Sequence, residues 1–159
     1  WFSDVWTDVT GDHQSLAHDE LRERSGAFPF EIPYRLVNMY SVYGDTVLDP
    51  FWGTGTTSLA AMVAGRDSVG YELEPEFAEV FDDRVTEVPG LSRSIAEERL
   101  ARHREFVART RNAGGDLDYQ AEHYDFPVRT KQERRLRLYA VDDVTETDGG
   151  YRASHAPFE

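Results

Sequence analysis

The stretch at 47–72, VLDPFWGTGTTSLAAMVAGRDSVGYE, constrains the fold more than any other part of this chain. A strand-like run at 46–48 ends at Asp49-Pro50, turns through Gly53-Thr54-Gly55 and enters an apolar helix over about 56–64. A second strand at 68–71 follows and ends on Glu72. Strand, glycine turn, helix and acid-tipped strand form half of a nucleotide-type α/β fold, in which small loop residues let a ligand approach the backbone. The arrangement points to an adenosine derivative as ligand.

Taken alone, the loop GTGTTS leaves several ligands open. No Gly-Lys-Ser/Thr follows it, so the main anchor of triphosphate chemistry is missing. Ser58 stands where the dinucleotide fingerprint G-x-G-x-x-G has its third glycine, which favours ligands without a pyrophosphate. Glu72 lies 17 residues past Gly55 at a strand tip, where a carboxylate can accept both hydroxyls of a ribose.

The flanks read as ordinary structure. Trp1, Phe2, Val5 and Trp6 suit a short edge segment, and 16–24 suits a helical turn or two. His13 and His18 share no helical face, and no metal centre is expected. At 28–43 Pro33 fits a first helical turn, with Leu36, Val37 and Tyr40 forming a core-facing stripe, and Gly44-Asp45 turns into the first strand. Pro75 opens a helix at 76–85 with Phe77, Val80 and Phe81 inward, and Pro89-Gly90 is expected to break it. A second helix, capped by Ser92 or Ser94 and stopped by Gly114-Gly115, places Ile95, Leu100, His103 and Val107 on a face packed over the sheet. His103 is then a core-edge residue and not a catalyst. The stretch 116–133 reads as loop, and 134–144 as a strand turned by Gly149-Gly150 into 151–154, a C-terminal hairpin. Arg129, Lys131, Arg134, Arg135 and Arg137 form a local basic cluster, suited to nucleic-acid phosphates or, more simply, to pairing with surplus carboxylates.

Composition sets the class. With 40% hydrophobic and 13% aromatic residues, 159 residues make one ordinary globular domain. Thirty acids face 17 bases, and Lys131 is the single lysine, a surface suited to the cytosol of a salt-loving organism, although GC-rich coding also favours arginine. The absence of cysteine excludes disulfides, thiolate metal sites and a cysteine nucleophile. No run has membrane length and no signal peptide is visible, so a cytoplasmic chain without a membrane partner is expected.

Three segments together narrow the ligand. Asp49-Pro50-Phe51-Trp52-Gly53-Thr54-Gly55-Thr56-Thr57 resembles the cofactor loop of the DNA amino-methyltransferases that use S-adenosylmethionine. Phe28-Pro29-Phe30-Glu31-Ile32-Pro33 resembles their Phe-Pro-x-x-Leu/Ile-Pro segment, and Gly70-Tyr71-Glu72-Leu73-Glu74-Pro75-Glu76-Phe77 their acidic strand end. The resemblance spans 28–77, about a third of the chain, with weaker similarity at Asp4-Val5-Trp6.

It implies a partial Rossmann-like methyltransferase fold with a C-terminal helix and β-hairpin extension. It also implies methyl transfer from S-adenosylmethionine to an exocyclic base amine of DNA, as in restriction-modification, with cytosine slightly favoured over adenine. By the same resemblance Asp49 contacts the methionine part, the loop with Phe51, Gly53, Gly55, Thr56 and Thr57 its backbone-facing side, Glu72 the ribose, and Phe28 or Phe30 an apolar wall, with Pro29 and Leu73 also among the cofactor-binding residues.

The family's catalytic Asp/Asn/Ser-Pro-Pro-aromatic tetrapeptide is absent, since none of the seven prolines adjoins another. No catalytic residue is therefore assigned. The start at Trp1 and the permuted motif order place that tetrapeptide and the target-recognition region upstream, so DNA is expected to be held through an upstream methyltransferase half or a partner chain. The expected layout is an upstream end or linker at 1–27, an S-adenosylmethionine-binding α/β domain at 28–112 and an extension at 113–159. A stand-alone cofactor-binding subunit and an RNA methyltransferase fragment are the alternatives.

Overall fold

The computed structural model describes residues 5–9 and 28–159. The expectations for Trp1, Phe2, His13, His18 and 16–24 lie outside the described residues. The architecture is mixed α/β, and the chain divides into two compact units, Trp1–Val88 and Pro89–Glu159. No described helix is long and apolar enough to cross a membrane.

In the first unit, α1 (Glu31–Tyr40), β1 (Thr46–Asp49), α2 (Thr56–Ala64), β2 (Asp67–Gly70) and α3 (Glu76–Val85) follow in order. β1 and β2 pair in parallel, with Leu48 opposite Val69 and Asp49 opposite Gly70. β2 begins and ends one residue earlier than its sequence suggests. Tyr71 still joins the pattern, its N–H donating to the Asp49 carbonyl and its own carbonyl accepting from the Trp52 N–H, both at 3.0 Å.

α2 is buried on almost every side, because Leu59, Ala60, Ala61, Val63 and Ala64 give it no polar face. It packs on both strands and against α1. Its end is fixed by Gly65 at φ +73, with the N–H of Gly65 bonded to Met62 O and that of Arg66 to Ala61 O, the paired closure of a Schellman motif.

Two expectations for this unit fail. Only Val37 of the α1 stripe is buried, together with Pro33 one turn earlier, while Leu36 and Tyr40 are exposed. The buried line runs through positions four apart, 33 and 37, and Leu36 and Tyr40 fall beside it. Val5 and Trp6 form no strand, and Val5 is exposed. The short segment is tied to α1 instead: Arg35 donates to both Asp8 oxygens at 2.6 and 3.0 Å and lies over the Trp6 ring at 5.3 Å.

The second unit is organised by α4 (Val88–Asn112). Pro89-Gly90 does not break the helix. Proline is tolerated in a first turn, where its missing N–H has no acceptor anyway, so the break falls at Thr86-Glu87. Ser92 is consequently no cap: it is buried inside the helix, and its hydroxyl accepts from the Val141 N–H at 2.9 Å. Gly114 and Gly115 close the helix as expected, through bonds to Arg111 O and Thr110 O.

Strands of the C-terminal segment pack against α4. β3 (Tyr119–Gln120) and β4 (Pro127–Val128) make a small hairpin inside the supposed loop, and a 3-10 turn occupies Lys131–Arg135. The long hairpin is β5 (Tyr139–Thr147) with β6 (Gly150–Pro157), turned at Asp148-Gly149 with Gly149 at φ +82. Its first strand starts later than expected because Thr130 and Glu133 form a capping box that holds Arg134 and Arg135 in the turn. Ala96, Leu100, Ala121, Phe126, Val128, Ala140 and Phe158 close the core. His103 sits at its edge, 4.4 Å from Phe126 and bonded to the Pro127 carbonyl at 3.1 Å.

Candidate functional site

The parallel pairing of β1 and β2 brings two acidic strand ends together. Asp49 closes β1, and its carboxylate accepts the Phe51 N–H at 3.1 Å, which starts the turn. Glu72 stands two residues past β2 and reaches across the loop, Oε2 accepting the Gly53 N–H at 2.8 Å. Oε1 accepts the N–H groups of Leu73 and Glu74 at 2.7 and 3.0 Å. The Glu74 N–H, followed by those of Gly53 and Leu73, holds this exposed carboxyl below its ordinary value of 4.5 despite some desolvation. Glu72 is thus ionised at neutral pH and latches the glycine loop to the end of β2.

The two loop glycines serve different ends. Gly53 has φ +53, and a Cβ there would meet nothing closer than the Phe51 carbonyl at 4.0 Å, so this part of the loop is open to a ligand. Gly55 has φ +71 and is buried; a Cβ there would lie 2.2 Å from Phe81 and 3.0 Å from Trp52. Its small size accommodates the protein's own rings, a reason the sequence reading, with its open ligand approach, did not contain.

Trp52 is the residue that reading missed. Its ring packs 4.6 Å from Phe81, a Cβ on Gly70 would lie 2.1 Å from its Cδ1, and its indole N–H donates to Ser58 Oγ at 2.8 Å. Gly55 and Gly70 therefore make a slot for one indole. Ser58, at the third fingerprint position, is buried as the acceptor that the indole needs. The signal was present in the departure from glycine at 58, six residues after a tryptophan.

Arg84 was also missed. From α3 its Nη1 donates to Thr54 O, Thr54 Oγ1 and Thr56 Oγ1 at 2.7, 2.9 and 3.0 Å. Burial pushes its pKa down, against the opposing charge of Glu87, yet arginine remains protonated at any ordinary pH. The loop is therefore pinned from beneath by a cation and from its rim by Glu72.

The remaining candidates border this loop or stand apart from it. Phe51 is 89% exposed and Leu73 95% exposed, two apolar side chains presented on either side of the acidic strand end. Thr56 is buried at the start of α2, and Thr57 is half-buried. Phe28, Pro29 and Phe30 lead into α1, where Phe30 stacks on Tyr34 at 5.5 Å.

The family model for DNA methylases matches residues 1–83, just over half of the sequence. The chain belongs to the DNA methylase family.

Its relatives include the type II methyltransferase M.MthZI of Methanothermobacter thermautotrophicus, 52% identical over 139 residues that cover 87% of this chain and 38% of that protein. M.MjaI of Methanocaldococcus jannaschii, also a type II methyltransferase, is 45% identical over 85 residues, 54% of this chain and 27% of that protein. The chain thus spans well under half the length of these methylases. The crystal structure of a DNA modification methylase from Thermus thermophilus, described as putative and complexed with S-adenosyl-L-methionine, is 41% identical, with a TM-score of 0.38 over 46% of this chain and 38% of that one.

Proposed function

We propose that this chain is the S-adenosylmethionine-binding part of a DNA methyltransferase that modifies an exocyclic base amine, with cytosine slightly favoured over adenine. The observation that carries the reading is the latched loop: an open Gly53 backbone held between Asp49 and Glu72 at the carboxyl ends of two parallel strands, the crevice where open α/β sheets bind ligands. In this reading the sheet is the start of a Rossmann-like methyltransferase fold. Glu72 Oε2, with one bond to Gly53, accepts a ribose hydroxyl, and Asp49 faces the methionine amine. Phe51 and Leu73 cover apolar parts of the ligand, with Phe28, Pro29 and Phe30 as the further wall. Gly55, Thr56 and Thr57 shape the loop from below. The cofactor would supply the methyl group, and this chain's residues bind and orient it.

The chemistry at the base belongs to residues outside this sequence, which lacks the Pro-Pro tetrapeptide. An unfinished surface supports that division. Leu48 and Val69, paired across β1 and β2, are 63% and 45% exposed, whereas parallel strands are ordinarily covered on both faces. Further strands or helices from the same polypeptide or a partner chain would cover them.

Radiolabelled S-adenosylmethionine offered with DNA tests this. The chain by itself should transfer no methyl group, and adding the segment that bears the tetrapeptide should restore transfer. Turnover by the 159 residues alone would contradict the division of labour.

A further inference from the structure

The charge of this acidic chain is segregated. Residues 93–137 hold 11 of the 17 basic residues against eight acids, whereas the rest of the sequence holds six bases against 22 acids. The positive stretch lies wholly within the second unit.

Its two halves meet on one surface. α4 supplies Arg99 and Arg109, and the segment after β4 supplies Arg129 and Lys131. The guanidinium of Arg129 lies over the ring of Phe106, a residue of α4, at 5.4 Å. Phe106 is seven residues, or two helical turns, from Arg99, so both basic groups stand along one line of the helix about 10 Å apart. Arg99 also shares the wall of a cavity of about 160 Å³ with Glu133 and Leu136, which follow Lys131.

The charges that these two stretches carry are not cancelled. Arg99, Arg109, Arg129 and Lys131 are exposed, and none has a carboxylate within ion-pair distance among the described residues. The carboxylate beside them is occupied, since Glu133 caps the 3-10 turn through the Thr130 N–H at 2.7 Å. Arg134 and Arg135 both lean on Glu122, at 3.4 and 3.8 Å, and Arg137 on Glu159. The simpler account of the basic cluster therefore holds for these three and leaves its other two members, Arg129 and Lys131, unexplained, together with Arg99 and Arg109 of α4. A cation stacked on a ring is held in place while its outward N–H donors remain available.

We propose that this face of α4 and the Arg129–Lys131 segment takes the sugar-phosphate backbone of duplex DNA. The inference rests on the reading of the chain as part of a DNA methyltransferase, and it assigns the second unit a role there, holding the duplex without reading its sequence. Arginine suits this because its planar fork matches phosphate oxygens. The acidic remainder does not prevent contact, since charges more than about 10 Å away are largely screened near 0.1 M salt.

Fluorescence anisotropy of a labelled mixed-sequence duplex, titrated with the 159-residue chain from about 50 to 200 mM salt, tests the proposal. Replacing Arg99, Arg129 and Lys131 together by Gln should lower the slope of log affinity against log salt by about three, near 0.9 per lost phosphate contact. Affinity at the lowest salt should fall at least about tenfold. Arg152→Gln, on β6 outside the positive stretch, should change neither. Calorimetry with S-adenosylmethionine on the same variants keeps the two readings apart. A chain that binds cofactor but whose salt slope ignores the triple change overturns this proposal alone, and a chain that shows the slope change without binding cofactor overturns the cofactor reading alone. Duplex RNA competing better than duplex DNA would overturn the assignment of the ligand.

Discussion

The Gly53 N–H donates to Glu72 Oε2 at 2.8 Å, joining the open turn of the glycine loop to the acid at the end of β2. One carboxylate thereby fixes the open turn and remains able to accept a further bond.

The latch has a defined pH range. Its carboxyl is held below the ordinary 4.5 by backbone N–H groups, so its contribution is present above that value and is lost as pH falls through the lower folded value. Loop protection in hydrogen exchange at the Gly53 amide should therefore be level from about pH 8 to about pH 5, once intrinsic rates are removed, and should fall in more acid solution. Glu72→Gln should abolish that acid limb. A limb that persists in the variant would assign it to another group.

Gly55→Ala should destabilise the fold before it affects any ligand, because the added Cβ would lie 2.2 Å from Phe81 and φ is +71. Overpacking and left-handed strain together cost about 2–4 kcal/mol. Thermal denaturation measures this, and Phe81→Leu in the same chain should return part of the loss. A Gly55→Ala protein with unchanged melting temperature would mean the rings move aside.

Ser58→Gly restores the third glycine of the dinucleotide fingerprint and should nevertheless destabilise the chain. It removes the acceptor of the part-buried Trp52 indole N–H, a loss of about 1–2 kcal/mol, and it places glycine inside α2 at about a further 0.5 kcal/mol relative to serine. Urea denaturation followed by tryptophan fluorescence reads both effects. Equal stability would show that the indole finds another acceptor.

Much of the first unit was legible in the sequence for local reasons. Pro33, Pro75 and the Gly44-Asp45 turn punctuate the chain, and the apolar run at 56–64 has the length and composition of a buried helix. What was not legible depended on partners distant in sequence. Ser92 looks like a cap from its neighbours alone, and only its meeting with Val141, 49 residues on, makes it an interior acceptor. Arg84 likewise gave no sign that it would turn back 30 residues to Thr54. The loop's motif was legible, but the reason for Gly55 required Phe81, and Phe81 required the fold.

Arg84→Ala should loosen the loop by removing the donor to Thr54 and Thr56, weakening S-adenosylmethionine binding about tenfold, the scale of one charged hydrogen bond. Arg84→Lys keeps the charge on a compact ammonium, so it should recover part of the affinity. Equal affinity in Arg84→Ala and the parent chain, by equilibrium dialysis, would confine Arg84 to packing.

Calorimetric titration of S-adenosylmethionine into the parent chain and Glu72→Ala tests the cofactor assignment most directly. The parent should bind one cofactor per chain, and Glu72→Ala should weaken binding by about 1–3 kcal/mol, the range of a lost charge-assisted hydrogen bond, while circular dichroism remains unchanged. No binding by the folded parent, or the same affinity in both, would contradict the assignment of the latched loop as the cofactor site.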